Sequence, residues 1–237
     1  MVSILKKIFD KQTYIEQKNS EEKKDYYQKE LLQQYGKYVP LHTSLPNWLF
    51  ISDTHGTFHT EELKNIDLSE YRSVILLGDH TMNDLDRIAR TIPKYIPIYG
   101  LLGNHDEKIQ YDVFNRFADR HIYHIGNTVT VIDGIKVAAF DGSFRYKPTE
   151  SLCMYTQEEM IRTAELLMSA QVIFSHSNPY LEETHDKVHE GMKAITKYAY
   201  ENHVPYIFHG HTHSPGRYSL ENNTTCTCVY HLHSTKL

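Results

Sequence analysis

From Trp48 onward, short apolar runs alternate with mixed polar stretches, and each run stops at a polar cluster. "NWLFI" stops at Ser-Asp-Thr-His-Gly, "SVILL" at Gly-Asp-His and "PIYGLL" at Gly-Asn-His-Asp. "QVIF" stops at Ser-His-Ser, and "VPYIF" at His-Gly-His-Thr-His. Short continuous apolar runs mark strands covered on both faces, because neither side of the pleat is given to water. Between them, helical spacing predicts helices over 83–92 with Asn83 as N-cap, over 106–120, over 156–169 with Thr156 and Glu159 as a capping box, and over 186–202. "NTVTVIDGIKVAAF" predicts a hairpin turning at Asp133 and Gly134, and residues 217–232 predict another. The expected fold class is therefore α/β, with parallel-type strands and antiparallel hairpins in mixed sheets.

Residues 1–40 follow a different rhythm. Tyr27, Leu31 and Tyr35 recur at helical spacing in a highly charged stretch, with Asn19 and Glu22 as a capping box. Ahead of it, Ile4, Leu5, Ile8 and Phe9 give "MVSILKKIF" an apolar side flanked by lysines. This predicts a helical N-terminal extension over 1–40, packed on the body or on a second copy of the chain, and a single domain over 41–237.

Composition narrows the function classes. The 237 residues carry a net charge of −5 with histidine neutral, so no global basic field draws the chain to long nucleic acid or an anionic membrane. No apolar stretch nears the roughly 18 residues of a membrane span, and no signal-type segment is recognisable. Three cysteines, an odd number, argue for a reducing compartment, and a cytoplasmic location is expected. Cys226 and Cys228, with His231 and His233 beyond, read as alternation in a strand rather than a zinc knuckle.

The polar clusters bring carboxylates, imidazoles and one carboxamide to the carboxyl ends of strands, the edge where sites in open α/β sheets assemble. They contain Asp53 and His55, then Asp79, then Asn104, His105 and Asp106, then His176, then His211 and His213. Extended backbone would point both members of each i, i+2 pair to one side, so Asp53 with His55, and His211 with His213, could each grip one centre. Imidazole mixed with oxygen donors suits Mn, Fe, Zn, Co or Ni, and the absence of thiolates speaks against a closed structural zinc site. The ligands outnumber what one ion needs, and a carboxylate shared between two ions would account for the surplus.

The ordered set Asp53-Thr-His55, Gly78-Asp79, Gly103-Asn104-His105-Asp106, Ser175-His176 and Gly210-His211-Thr212-His213 resembles the calcineurin-like metallophosphoesterase superfamily over roughly residues 48–215. The resemblance implies a four-layer α/β/β/α sandwich with a dinuclear site between the loop ends of its sheets. It implies that Asp53, His55 and His213 hold one divalent ion, that Asn104, His176 and His211 hold the other, and that Asp79 bridges them. Manganese is the expected metal, with Fe, Zn, Ni or Co as alternatives. Such a pair lowers the pKa of a bridging water and aims it in line at phosphorus. The resemblance also implies that His105 protonates the leaving group while Asp106 accepts from its other ring nitrogen. The sequence departs from the family at Met82, where an acid or asparagine is usual, and at Asn178. Neither protein Ser/Thr phosphatase motif matches.

The expected function is hydrolysis of phosphodiester or phosphomonoester bonds in a small nucleotide-like substrate. Arg145, in "FDGSFRYKPTESLCMY", is the candidate phosphate clamp, with Phe144 or Tyr146 stacking on a base. A nuclease of the DNA-repair type and a catalytically silent binding scaffold are the competing readings. The acidic balance speaks against the first, and the full ligand set against the second.

Overall fold

The computed structural model describes residues 44–64, 66–148, 152–182 and 186–235. The expected extension over 1–40, with its capping box and its use in self-association, lies outside the described residues. The chain divides into two units, Met1–His42 and Thr43–Leu237, and the second holds both large sheets and the site.

Each of the five apolar runs forms a strand. They are β1 (Trp48–Ser52), β2 (Ser73–Leu76), β3 (Ile98–Gly100), β9 (Val172–Ser175) and β10 (Tyr206–His209). The remaining strands are β4 (Tyr123–His124), β5 (Thr128–Ile132), β6 (Ile135–Phe140), β7 (Ser143–Phe144), β8 (Met154–Tyr155), β11 (Gly216–Ser219), β12 (Thr225–Cys228) and β13 (His231–Ser234). One sheet has the order β13-β1-β2-β3-β4, parallel except where β13 runs against β1. The other has the order β11-β12-β10-β9-β6-β5, parallel at its centre and antiparallel at both edges.

Strand alternation assigns the layers. Trp48 and Phe50 of β1 face Phe174 of β9 and Phe208 of β10, with ring centroids 4.5–5.2 Å apart between Phe50 and its two partners, so the two sheets meet across an aromatic interior. The intervening β1 residues, Leu49 and Ile51, pack instead with Val74 and Leu76 against helix α2 (Met82–Thr91) through Leu85 and Ile88, and against α3 (Gln110–Phe117) through Tyr111 and Phe114. On the far side, Ala138, Phe140, Ile173 and Ile207 pack against α4 (Gln157–Glu165) and α5 (Lys193–Glu201) through Met160, Ala164, Ile195 and Tyr198. A short α1 (Glu61–Lys64) precedes β2. The result is the expected helix–sheet–sheet–helix sandwich.

The hairpin at Asp133 and Gly134 forms, with both residues in the left-handed region that a two-residue turn requires. Its Asp133 Oδ2 accepts from Trp48 Nε1 at 2.8 Å and Ser73 Oγ at 2.7 Å, tying one sheet to the other. The expected hairpin over 217–232 is only partly right. β11 and β12 pair as a hairpin, but β13 crosses to the other sheet and adds to β1. Cys226 and Cys228 are buried strand residues of β12, and all three cysteines are free thiols. The Thr156–Glu159 capping box caps α4 as expected. Asn83 does not cap α2; Thr81 does, in a reciprocal box with Asp84. The helices expected from 106 and 186 start later, at Gln110 and Lys193, because the residues ahead of them are bent around the site.

Candidate metal centre

The strand ends converge where the expected edge lies. Asp53, His55 and His213 bring ligand atoms within 4.8 Å of one another, and so do Asp53, Asp79 and His176. Asp79 Oδ2 stands 3.5 Å from His55 Nε2 on one side and 3.5 Å from His176 Nε2 on the other. His213 Nε2 lies 3.3 Å from Asp53 Oδ1 and 3.3 Å from His55 Nε2. His176 Nε2 lies 2.8 Å from Asn104 Oδ1.

Each of these contacts needs a proton or a cation between two atoms that can both accept. His176 Nδ1 faces the Leu77 carbonyl at 2.8 Å, so it carries a proton, and Nε2 is the ring atom aimed at Asp79 and Asn104. Asn104 turns its carboxamide oxygen inward because Nδ2 donates to the Tyr146 hydroxyl at 3.3 Å. His211 Nε2 donates to the Val188 carbonyl at 2.9 Å, freeing Nδ1, and its ring lies 5.1 Å from that of His176. Two carboxylates, one carboxamide and four imidazoles, two of them held by backbone carbonyls, fit divalent ions of the borderline class. Asp53, Asp79, Asn104, His176 and His211 are buried, whereas His55 and His213 reach solvent.

The charge states follow the same geometry. Burial works to raise the Asp53 carboxyl, but hydrogen bonding with His213 and the charge of His176 outweigh it and hold it well below the usual carboxylate range. Burial pushes His176 down, and Asp79 and Asp53 more than reverse this. Burial, helped by His176, pushes His211 down to about 3, so its ring stays neutral.

The backbone at the site is left-handed. Asp53, His55, Asp79, His211 and His213 all have φ between 45° and 70°. Extended geometry therefore does not pair Asp53 with His55 or His211 with His213, as expected from the sequence; consecutive tight bends do. A left-handed non-glycine residue costs about 1 kcal/mol or more, and such strain persists only where the surroundings over-determine it. Two features supply that support. Gly78 and Gly103 let β2's end and β3's end approach until a Cβ on Gly103 would lie 2.1 Å from Asp79 Oδ1. Asp84, fully buried, accepts from Thr54 Oγ1 and from the amides of Gly56, Phe58 and Thr81, fastening the Asp53–His55 loop to the start of α2. Asp84 is not among the residues expected at the site, although the sequence does carry its signal, Thr81 three residues ahead.

His105 is placed at the rim. Its amide donates to Asp79 Oδ1 at 2.8 Å, and its ring lies 5.2 Å from the ring of His55. Asp106 does not orient it. The Asp106 carboxylate is buried and accepts from the amides of Gly103, Asp79 and His80 at 2.8–3.1 Å and from Gln110 Nε2 at 3.2 Å. Burial, with the charge of Asp79 next, pushes its carboxyl above the usual carboxylate range, against the amide of Gly103, the charge of His176 and the amide of Asp79, which pull it down. The expected His105–Asp106 pair is thus replaced by a carboxylate that moulds the turn. Arg145 is also spent elsewhere, on Glu159 Oε2 at 3.1 Å and the Met154 carbonyl at 3.0 Å, so the structure does not offer it as a phosphate clamp. His80 and His209, both buried and held near 4 by burial, stand beside the ligands as neutral supports. His80 Nδ1 meets Thr54 Oγ1 at 2.8 Å, and His209 Nε2 meets the Tyr218 hydroxyl at 2.8 Å.

The chain has likenesses among known proteins. The protein TT1561 of Thermus thermophilus superposes with a TM-score of 0.58 at 11% identity, covering 80% of this chain and 98% of that one, which is a likeness of fold. The phosphopantetheinyl hydrolase PptH of Mycobacterium tuberculosis superposes at 0.49 with 13% identity over 79% of this chain and 90% of its own. A dimetal phosphatase from Danio rerio does so at 0.48 with 10% identity over 80% and 88%. No curated protein sequence matches the chain. The sequence profile of the calcineurin-like phosphoesterases matches residues 47–215, most of the chain and every strand end of the site. The chain belongs to the calcineurin-like phosphoesterase family.

Proposed function

We propose that this chain is a dinuclear metal-dependent phosphoesterase that hydrolyses a monoester or diester bond in a small, nucleotide-sized substrate. The observation that carries the reading is the meeting of two imidazole nitrogens at Asp79 Oδ2, His55 Nε2 and His176 Nε2 each 3.5 Å away. Asp53, His55 and His213 would hold one divalent ion, and Asn104, His176 and His211 the other, with Asp79 between them. When bound, such a pair supplies Lewis acidity toward phosphoryl oxygens and a strong nucleophile at neutral pH. Manganese suits the mixed imidazole and oxygen donors, and three free buried thiols fit a reducing compartment.

His105 is the proton donor to the departing oxygen in this reading. Its backbone is pinned by Asp79, while its ring remains partly exposed beside a cavity of about 350 Å³. Hydrolysis of bis(p-nitrophenyl) phosphate or p-nitrophenyl phosphate by the Mn²⁺-loaded chain tests the function, and Asp79→Asn is expected to abolish it. His105→Ala is expected to retain bound manganese and lose about 10²-fold or more in turnover. Equal loss of metal and turnover in that variant refutes its role.

A further inference from the structure

The cavity of about 350 Å³ beside the centre has two unlike ends. One end is formed by His55, Asp79 and His105, where a phosphoryl group would meet the centre. Its lining also includes Met82, Glu107, Gln110 and Val113, from the starts of α2 and α3, and these form its outer end. Among the described residues, no lysine or arginine lines it.

The polar groups of this outer end are acceptors. Gln110 Nε2 is committed to the His80 carbonyl at 2.7 Å and to Asp106 at 3.2 Å, so Oε1 is the part of its amide left over. The Glu107 side chain is exposed and has no ion pair or hydrogen bond among the described residues. Thr81 adds no donor, because its hydroxyl proton goes to Asp84 at 2.9 Å. Asp106 also lines the cavity, with its carboxylate turned to the amides of Asp79, His80 and Gly103. His80 also lines the cavity, but its Nε2 is buried and turned away from solvent. Thr54 gives its proton to Asp84, so His80 Nδ1 donates to Thr54, and the buried Nε2 is left as an unpartnered lone pair. Met82 and Val113 supply apolar surface between these groups.

Such an end disfavours a second anionic group, which would meet the carboxylates of Glu107 and Asp106 and no lysine or arginine in the lining. It matches a short alkyl chain bearing N–H donors and a positive charge, with methylenes on Met82 and Val113 and an ammonium near Glu107. We infer that this cavity selects phosphate esters whose leaving alcohol is an amino alcohol, over esters of neutral or acidic alcohols. The inference rests on the reading of the chain as a phosphoesterase and specifies the leaving group for that same site.

The test compares three isosteric esters on the full Mn²⁺-loaded chain, each as the monoester and as its methyl diester. These are O-phosphoethanolamine, 2-hydroxyethyl phosphate and phosphoglycolate, with the two p-nitrophenyl esters as controls. The expected order of kcat/KM is ethanolamine over hydroxyethyl over glycolate, with about tenfold between the extremes for one partly screened charge. Glu107→Gln narrows that ratio about tenfold. Met82→Lys, at a position 41% exposed that tolerates a long side chain, reverses it toward glycolate. Hydrolysis of the p-nitrophenyl esters with no such order, or with none of the three esters cleaved, overturns the inference and leaves the phosphoesterase reading standing. The same holds if the order survives both substitutions. No hydrolysis of either p-nitrophenyl ester overturns that reading, and the inference with it.

Discussion

On the Asp79 side the centre is dry, and its donors are held from behind; on the His55 and His213 side it opens to solvent. The Asp79 and His176 side chains are 2% and 0% exposed, against 34% and 44% for His55 and His213. The Leu77 and Val188 carbonyls and the Tyr146 hydroxyl each accept a hydrogen bond from a dry-side side chain and so fix which atom faces inward. Among the described residues, His213 has only the Tyr230 ring, 4.8 Å away and itself exposed, beside its contacts within the site. Outer-shell hydrogen bonds raise metal affinity by fixing tautomer and orientation. The difference therefore teaches that the two ions should be held unequally, the dry-side one tightly and the solvent-side one exchangeably.

That asymmetry can be attacked at several points. Asp79→Asn removes the shared carboxylate and is expected to strip both ions, seen as loss of bound manganese together with a fall in hydrolysis on the order of a thousandfold. Gly103→Ala strikes the dry side sterically, since its Cβ would lie 2.1 Å from Asp79 Oδ1 and 2.4 Å from the Asp79 amide. It should cost about 3 kcal/mol of stability in chemical denaturation, as overpacking at backbone does. His213→Ala should remove only the solvent-side ion, leaving one manganese per chain in elemental analysis. Tyr146→Phe takes the hydroxyl from Asn104 and should weaken the dry-side ion about tenfold by calorimetry, with little change in fold. A Tyr146→Phe effect confined to the solvent-side ion would reverse the assignment of halves.

The dry side is also the part most visible in the sequence. Buried strands announce themselves as uninterrupted apolar runs, and polar residues straight after them have few structural uses, so Asp79, Asn104 and His176 stand out. What local pattern cannot convey is backbone hand. Asp53 and His55 read as an extended pair because spacing is all the sequence offers, whereas their left-handed φ depends on Asp84 and on packing from α2. Asp106 fails as His105's partner for a similar reason. Adjacency places it near, but three backbone amides compete for its carboxylate, and these become neighbours only when β2 and β3 align. Arg145 attracts notice as the one guanidinium in an aromatic loop, but the helix-capping Glu159 supplies it with a nearer anion. β13 escapes local pattern because an edge strand reads the same whichever sheet it joins.

Titration of the metal-free chain with Mn²⁺, followed by calorimetry, tests the central claim most directly. The account predicts two ions per chain binding in two resolved steps, with affinities about tenfold or more apart. A single ion, no binding, or two ions of equal affinity would contradict it.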